Sequence, residues 1–460
     1  MAKILIIGAG VAGLSAAIKL RTAHHDVEIA EALDLIGGRA FSEQIEGVYF
    51  DWGAEAIEAK TDAEAWLLRD DQYAVENPPD GYHPVQEPPL GVDGADWKLF
   101  RLPFAGSGQR EALVTGGAEV PQGSKTVDEN RQAVVGNCQT VNDDFFNEVN
   151  ILLGHEDLNS IRFRQGQFGS WPIISDAVEV NPPWGSIHNF ARAAAANNGG
   201  EVREDETNQT LGASVLRWAS ANGLDGIIRR STVVTQVTNI ADDKVEVRFR
   251  GAANATYDAV LVTVPTDRVK GPHEARQAND LFLPDLTAPQ IAAFRGNPLG
   301  CYFKLVVTGI NGVRVPSPGN GVYVTLETGY SHFLIGQNAA ASQIYLHAAG
   351  DTGRVMSDDH ELAAQVLVQS IKRLNNTADA LFPLPPAVTA YVYDWCREPY
   401  YGGAYSLTRP NAWATRQQLR DFRAARIFYA GEACSLRWYG QIAGAMESGN
   451  ATADRMITIL

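Results

Sequence analysis

Cysteine is scarce in this chain: four residues in 460, and Cys138, Cys301, Cys396 and Cys434 never take a CxxC spacing. The scarcity excludes a small secreted scaffold built on disulfides, and the spacing argues against zinc ribbons and dithiol chemistry. Long apolar runs are missing too. No stretch of about 18 apolar residues occurs, so nothing reads as a membrane-spanning helix or a hydrophobic tail. The apolar start Ile4-Leu5-Ile6-Ile7 is cut at once by Gly8, Gly10 and Gly13, and no small-residue cleavage site follows, so it does not read as a signal peptide. Positive charge is in deficit, 38 Lys and Arg against 54 Asp and Glu, for a formal net charge of −16. That balance suits neither a phosphate backbone nor an anionic membrane, so no nucleic-acid or membrane partner is expected. Histidines are scattered, with His24-His25 at a helix end and no HxxxH or HExxH spacing, so no metal is expected. What remains is an acidic α/β chain, expected in the cytoplasm and long enough for two large domains or about three ordinary ones.

The N-terminus then becomes informative. Residues 3–7 read as a buried parallel strand, 12–22 as a helix carrying Leu14, Ala17, Ile18 and Leu20, and 27–30 as a second strand ending at Glu31. Between strand and helix stands Gly8-Ala9-Gly10-Val11-Ala12-Gly13, a GxGxxG. Alone it is a weak signal, but its context points to a dinucleotide site. Gly8 permits the tight turn, Gly10 lets the backbone approach a pyrophosphate, and Gly13 lets helix and strand touch. The positive helix start favours the diphosphate, and Glu31 stands where it can accept hydrogen bonds from a ribose.

Further along, a helix is expected near 210–222, strands at 227–240, 244–250 and 258–265, and strands of a second sheet at 301–308 and 322–326. Ser357 reads as the N-cap of a helix carrying Leu362, Val366, Ile371 and Leu374. A last strand at 426–430 and a last helix at 444–459 close the chain. Residues 60–220 carry no placeable motif, and 103–124 read as irregular.

Gly37-Gly38-Arg39, after the acidic Glu31, resembles the second motif of the flavin-containing amine oxidase family. The resemblance implies that Arg39 reaches the FAD pyrophosphate, a role suited to its fork of donors. Val234, followed by the strand that ends in Pro265, resembles the family's adenine-side strands. Pro298-Leu299-Gly300-Cys301-Tyr302-Phe303-Lys304 resembles the segment whose lysine lies near flavin N5. Trp395 to Tyr405, then Tyr429-Ala430-Gly431-Glu432-Ala433 and Gly444-Ala445, resemble its C-terminal blocks. The family implies an α/β fold: a Rossmann-like FAD-binding domain interleaved with a substrate domain of mixed sheet and helices. Residues 1–58, 205–270 and 410–460 would make the first, and 59–204 and 271–409 the second.

The same resemblance implies site roles. Lys304 would stabilise charge as oxygen is reduced. Tyr405 would be one wall of an aromatic cage that presents an amine. Two departures stand out. Ala404 replaces the cysteine of covalently flavinylated members, so FAD is expected to be held non-covalently. Gln441 replaces the second cage aromatic, which suggests a substrate that hydrogen-bonds, such as a secondary amine or an amide within a larger metabolite. Asp51 to Glu58 resembles a polyamine-oxidase stretch; Glu58 would steer a cationic group or act as a base, and a plain loop carboxylate fits it as well. The expected activity is an FAD-dependent oxidase taking a small amine-type substrate and O2 to an imine and H2O2. An L-amino-acid oxidase, a flavin desaturase or isomerase, and a non-catalytic FAD-binding module remain open, as does a homodimer.

Overall fold

The computed structural model describes residues 1–45, 48–54, 211–241, 243–308, 343–364, 366–367, 389–406, 413–436 and 439–460. Elsewhere it describes only the backbone of short strands. The segment expected to be irregular at 103–124 is corrected in part: Glu111–Thr115 is a strand paired antiparallel with Lys98–Leu102, a ladder that its uneven apolar pattern does not announce. The rest of it, and most of 60–200, lie outside the described residues. The chain forms two compact units: Met1–Gln86, Glu201–Leu299 and Glu398–Leu460 make one, and Glu87–Gly200 with Gly300–Arg397 make the other.

The first unit is built on β1 (Lys3–Ile7), α1 (Val11–Thr22) and β2 (Asp26–Ala30). β1 is central in a six-stranded sheet, pairing in parallel with β2 on one side and with Ala259–Val262 on the other. Ile427–Tyr429 continues the sheet in parallel beyond Ala259–Val262. The unbroken apolar run of β1 follows from burial on both faces. Ile4 and Ile6 face a core shared with Leu14, Trp218 and Met446, while Leu5 and Ile7 face another shared with Val237, Val260 and Phe294. The strand after Asp258 ends at Val262 and not at Pro265, where the chain lacks an N–H to continue a ladder; the Thr263 hydroxyl donates to the carbonyls of Ile7 and Gly8.

The domain boundaries expected from the sequence differ from these units. Residues 271–299 and 398–409 belong to the first unit. The reason is pairing: Leu281–Phe282 joins Val234–Ala241 in parallel within a second, five-stranded sheet, and Leu299 bridges Ser406.

The second unit carries a seven-stranded sheet in which Tyr302–Thr308 lies between Gln343–Ala349 and Thr389–Asp394. The cap assigned to Ser357 is corrected. A helix runs from Gly350 to Asp358, which leaves Ser357 in its last turn, where its hydroxyl donates to Asp394 at 2.7 Å. The next helical turn starts after Asp359, whose carboxylate accepts from the Leu362 N–H at 2.9 Å. A carboxylate two residues on outcompetes the serine because it also favours the positive helix start. Cys301 and Cys396 form a disulfide spanning 95 residues, while Cys434 is free and buried. Cysteine spacing gives no sign of this pairing, which is made by adjacent strand ends; such bridges are rare in a reducing compartment. No described helix is long and apolar enough to cross a membrane, and the described residues hold no cluster of metal-ligating side chains.

Candidate functional site

The glycines of the first turn form a surface shaped for a ligand. The turn from β1 into α1 leaves Gly10 at the helix start with no side chain capping it and no acidic residue in the first turn. Gly37 pairs with this turn: its N–H donates to the Ala9 carbonyl at 2.8 Å, and it bridges Gly10 in parallel. Gly38 has φ +64°, and a Cβ there would lie 3.0 Å from the Gly10 Cα. Two glycine segments therefore meet backbone to backbone, and any side chain at either would fill the surface they make.

Glu31, at the end of β2, is buried and folds back onto this turn. Its carboxylate accepts from the Ala9 N–H at 2.7 Å and from the Leu33 N–H at 2.9 Å. Burial holds its pKa above the ordinary carboxylate value, although these backbone hydrogen bonds pull the other way.

Arg39 extends from the second glycine segment toward the C-terminal blocks. It donates to the Ala404 carbonyl and pairs with Glu432 at 3.0 Å. Glu432 follows the strand Ile427–Tyr429 and is almost wholly buried. Burial alone would raise its pKa. The charges of Arg39 and Arg416, with hydrogen bonds from Ser406 and Gly440, outweigh that and hold it below the ordinary carboxylate value. Gly431 is fixed by Ser448, whose hydroxyl takes its N–H at 3.0 Å and donates to its carbonyl at 2.7 Å. The same hydroxyl lies 3.1 Å from the carbonyl of Ala445 in the first turn of the helix Ile442–Ile459. That helix packs closely on α1, since a Cβ on Gly449 would lie 2.3 Å from the Ala12 carbonyl oxygen. Val234 is buried where the strand Val234–Ala241 begins.

Tyr405 lies against Gly440, the residue before Gln441: a Cβ on Gly440 would lie 3.2 Å from the Tyr405 ring. Gln441 is the N-cap residue of the C-terminal helix, but its side chain makes no cap bond, and its Oε1 is buried with no hydrogen-bond partner among the described residues. Lys304 is in the second unit, 1% exposed, paired in register with His347 and Tyr393. Glu58 ends the short strand Ala56–Glu58, opposite Glu201; its side chain lies outside the described residues. Sequence reading misses Ser406, Arg416 and Tyr439, none of which stands in a recognisable spacing.

The sequence model described as flavin containing amine oxidoreductase matches residues 201–457. The chain belongs to that family. A model for NAD(P)-binding Rossmann-like domains matches residues 6–86. Among curated relatives of this family member, a probable polyamine oxidase of Arabidopsis thaliana is 22% identical, covering 97% of this chain and 85% of its own length. A pseudooxynicotine dehydrogenase of a Pseudomonas species is 35% identical over 86 residues, 18% of this chain and 17% of its own length. In fold the chain is similar to a cyclohexylamine oxidase from Brevibacterium oxydans, with TM-score 0.72, 16% identity, and 100% and 99% of the two chains covered. A wild-type putrescine oxidase bound to putrescine gives TM-score 0.69 at 17% identity, with 99% of each chain covered.

This amine oxidoreductase takes FAD as cofactor. The glycine surface, the uncapped helix start and the Glu31 carboxylate fit a dinucleotide: donors and positive dipole for the diphosphate, an acceptor for ribose hydroxyl groups. Glu31 gives that fit a pH dependence. Because its folded pKa is raised, protonation begins above the ordinary value of 4.5 as the pH falls, and the protonated group loses acceptor capacity toward a ribose. FAD affinity, followed by flavin fluorescence on release, is therefore expected to fall from neutral pH toward that value. Glu31→Gln should weaken binding about tenfold at pH 7 and flatten the profile. Glu432, with its pKa lowered, stays ionised over the same interval.

Proposed function

We propose that the enzyme oxidises the C–N bond of an amine bearing at least one N–H to an imine, with O2 as electron acceptor and H2O2 as product. Bound FAD supplies the two-electron acceptor. The observation that carries the reading is that Tyr405 packs against Gly440, next to Gln441, whose buried Oε1 has no hydrogen-bond partner among the described residues. An aromatic face guides an amine without a trapping ion pair, and a buried acceptor without a donor costs free energy until a ligand N–H supplies one. Secondary amines and amide nitrogens of larger metabolites both offer that N–H. Non-covalent retention of FAD follows from Ala404, which has no thiol to form a bond.

Lys304 is assigned to the oxygen step, where its ammonium would offset negative charge developing on O2. Glu58 is assigned to steering the cationic substrate, which also suits the net charge of −16.

A peroxide-coupled screen of amines, amino acids and N-acyl amines tests the reaction. Peroxide from amines or N-acyl amines supports the reading, and peroxide from amino acids alone replaces it with an amino-acid oxidase. Silence in all three, with no oxygen uptake, rejects it. Lys304→Met is expected to slow the oxygen-dependent half-reaction by about 10²-fold while leaving anaerobic bleaching by substrate in place. Unchanged oxygen reactivity removes Lys304 from that role.

A further inference from the structure

The carboxylate of Glu432 has four donors, and they come from three separate parts of the chain. Oε1 accepts from the Ser406 N–H at 2.9 Å and from Arg39 at 3.0 Å. Oε2 accepts from the Ser406 hydroxyl at 2.7 Å and from the Gly440 N–H at 2.8 Å. Ser406 follows Tyr405 directly, and Gly440 precedes Gln441 directly, so one buried carboxylate grips both positions assigned to the substrate.

Arg416 stands behind this grip. It is completely buried on the helix Trp413–Arg420. Its Nη1 donates to the Ser406 hydroxyl at 3.1 Å and to the Ala433 carbonyl at 2.9 Å. Its guanidinium lies 4.0 Å from the centre of the Tyr439 ring. With one lone pair taken by Arg416, the Ser406 hydroxyl is oriented to donate to Glu432. Arg416 thus touches the residue after Tyr405 and the residue two before Gln441, without standing at either substrate position. Stability alone is a weak reason for such an arrangement, since a buried ion pair commonly matches an apolar replacement in stability at best. Fixed geometry is the better reason: each bond has a direction, and together they leave the Tyr405–Gln441 separation little freedom.

We propose that Arg416 and Ser406 are positioning residues that act through Glu432 to set the separation of Tyr405 and Gln441, and with it which amines the site accepts. The inference rests on the reading of Tyr405 and Gln441 as substrate-facing.

The test uses FAD-loaded Arg416→Met, Arg416→Lys and Ser406→Ala enzyme, with Ser406→Ala as the variant that leaves no buried charge uncompensated. For the best amine found in the screen, Ser406→Ala and Arg416→Met are expected to raise KM about tenfold or more with kcat nearly unchanged, and to flatten the preference between a small primary and a bulky secondary amine. Arg416→Lys keeps the charge but loses the planar fork, so it should fall between wild type and Arg416→Met. The FAD dissociation constant should move by less than about threefold in Ser406→Ala. An unchanged KM and unchanged preference in Ser406→Ala overturn the proposal, as does a KM increase matched by equal loss of kcat and of FAD. Independently of turnover, the crystal structure of Ser406→Ala holoenzyme should show Tyr405 and Gln441 displaced relative to one another. An unchanged separation overturns the brace even if no amine is oxidised, whereas a changed separation with no oxidation counts against the proposed function alone.

Discussion

Glu432→Gln is expected to destabilise the first unit by about 3–5 kcal/mol and to abolish FAD retention on gel filtration. The substitution keeps the shape but removes the charge facing Arg416, which is 0% exposed and cannot be rescued by water. It also replaces an all-acceptor carboxylate by an amide, so one of the donors from Ser406, Gly440 or Arg39 meets an N–H instead of an oxygen. Thermal unfolding read alongside flavin absorbance would measure both losses. The pH dependence has a definite sign. A carboxylate whose folded pKa is depressed contributes stability that is present above its unfolded value and lost as pH falls through the folded one. Wild-type stability should therefore keep declining below about the ordinary value of 4.5, and that part of the decline should vanish in Glu432→Gln. A variant with wild-type melting temperature and full FAD content would show that the charge is dispensable.

Gly13→Ala is expected to be nearly as severe, for a steric reason. A Cβ at residue 13 would lie 2.2 Å from the Gly8 carbonyl oxygen and 3.2 Å from the Ile6 side chain. The nearer atom is backbone, so relief requires α1 to move away from β1. Overpacking of this kind costs about 3 kcal/mol, and the displaced helix start would no longer direct its N–H groups at a diphosphate. Loss of FAD with a lowered melting temperature is the expected outcome. Normal FAD content in Gly13→Ala would mean that the helix start does not carry the diphosphate.

The Rossmann-like half of the molecule was legible in the sequence because its signals are local. A glycine that must lie against a carbonyl, a strand buried on both faces and an acidic residue at a strand end each constrain residue type at fixed spacing, as Gly13, Ile4–Ile7 and Glu31 illustrate. Such spacing also singled out Arg39 and Glu432, which the structure joins in an ion pair, and Tyr405, whose ring lies against Gly440. Arg416 was not, since a lone arginine in a short amphipathic helix has the same sequence whether it faces water or a buried carboxylate. Ser357 misled for a related reason: the side chain that suits a helix start also suits a bond to Asp394, and only tertiary contact decides between them. The attachment of 271–299 to the first unit was equally hidden, because it depends on a two-residue strand, Leu281–Phe282, whose partner Gln236 is distant in sequence.

The disulfide links the second unit almost where the chain enters and leaves it. The second of the segments that make this unit runs from Gly300 to Arg397, and the bridged residues are Cys301 and Cys396. Covalently, that segment is a ring hung on the rest of the chain. Unfolding the ring does not release its ends, so Glu201–Leu299 and Glu398–Leu460 stay within a few residues of each other even in the denatured protein. In the chain-entropy picture a loop of this length is worth about 4–5 kcal/mol. The FAD-binding unit can therefore gather its second and third pieces at the cost of a short connection, whatever the state of the segment inserted between them.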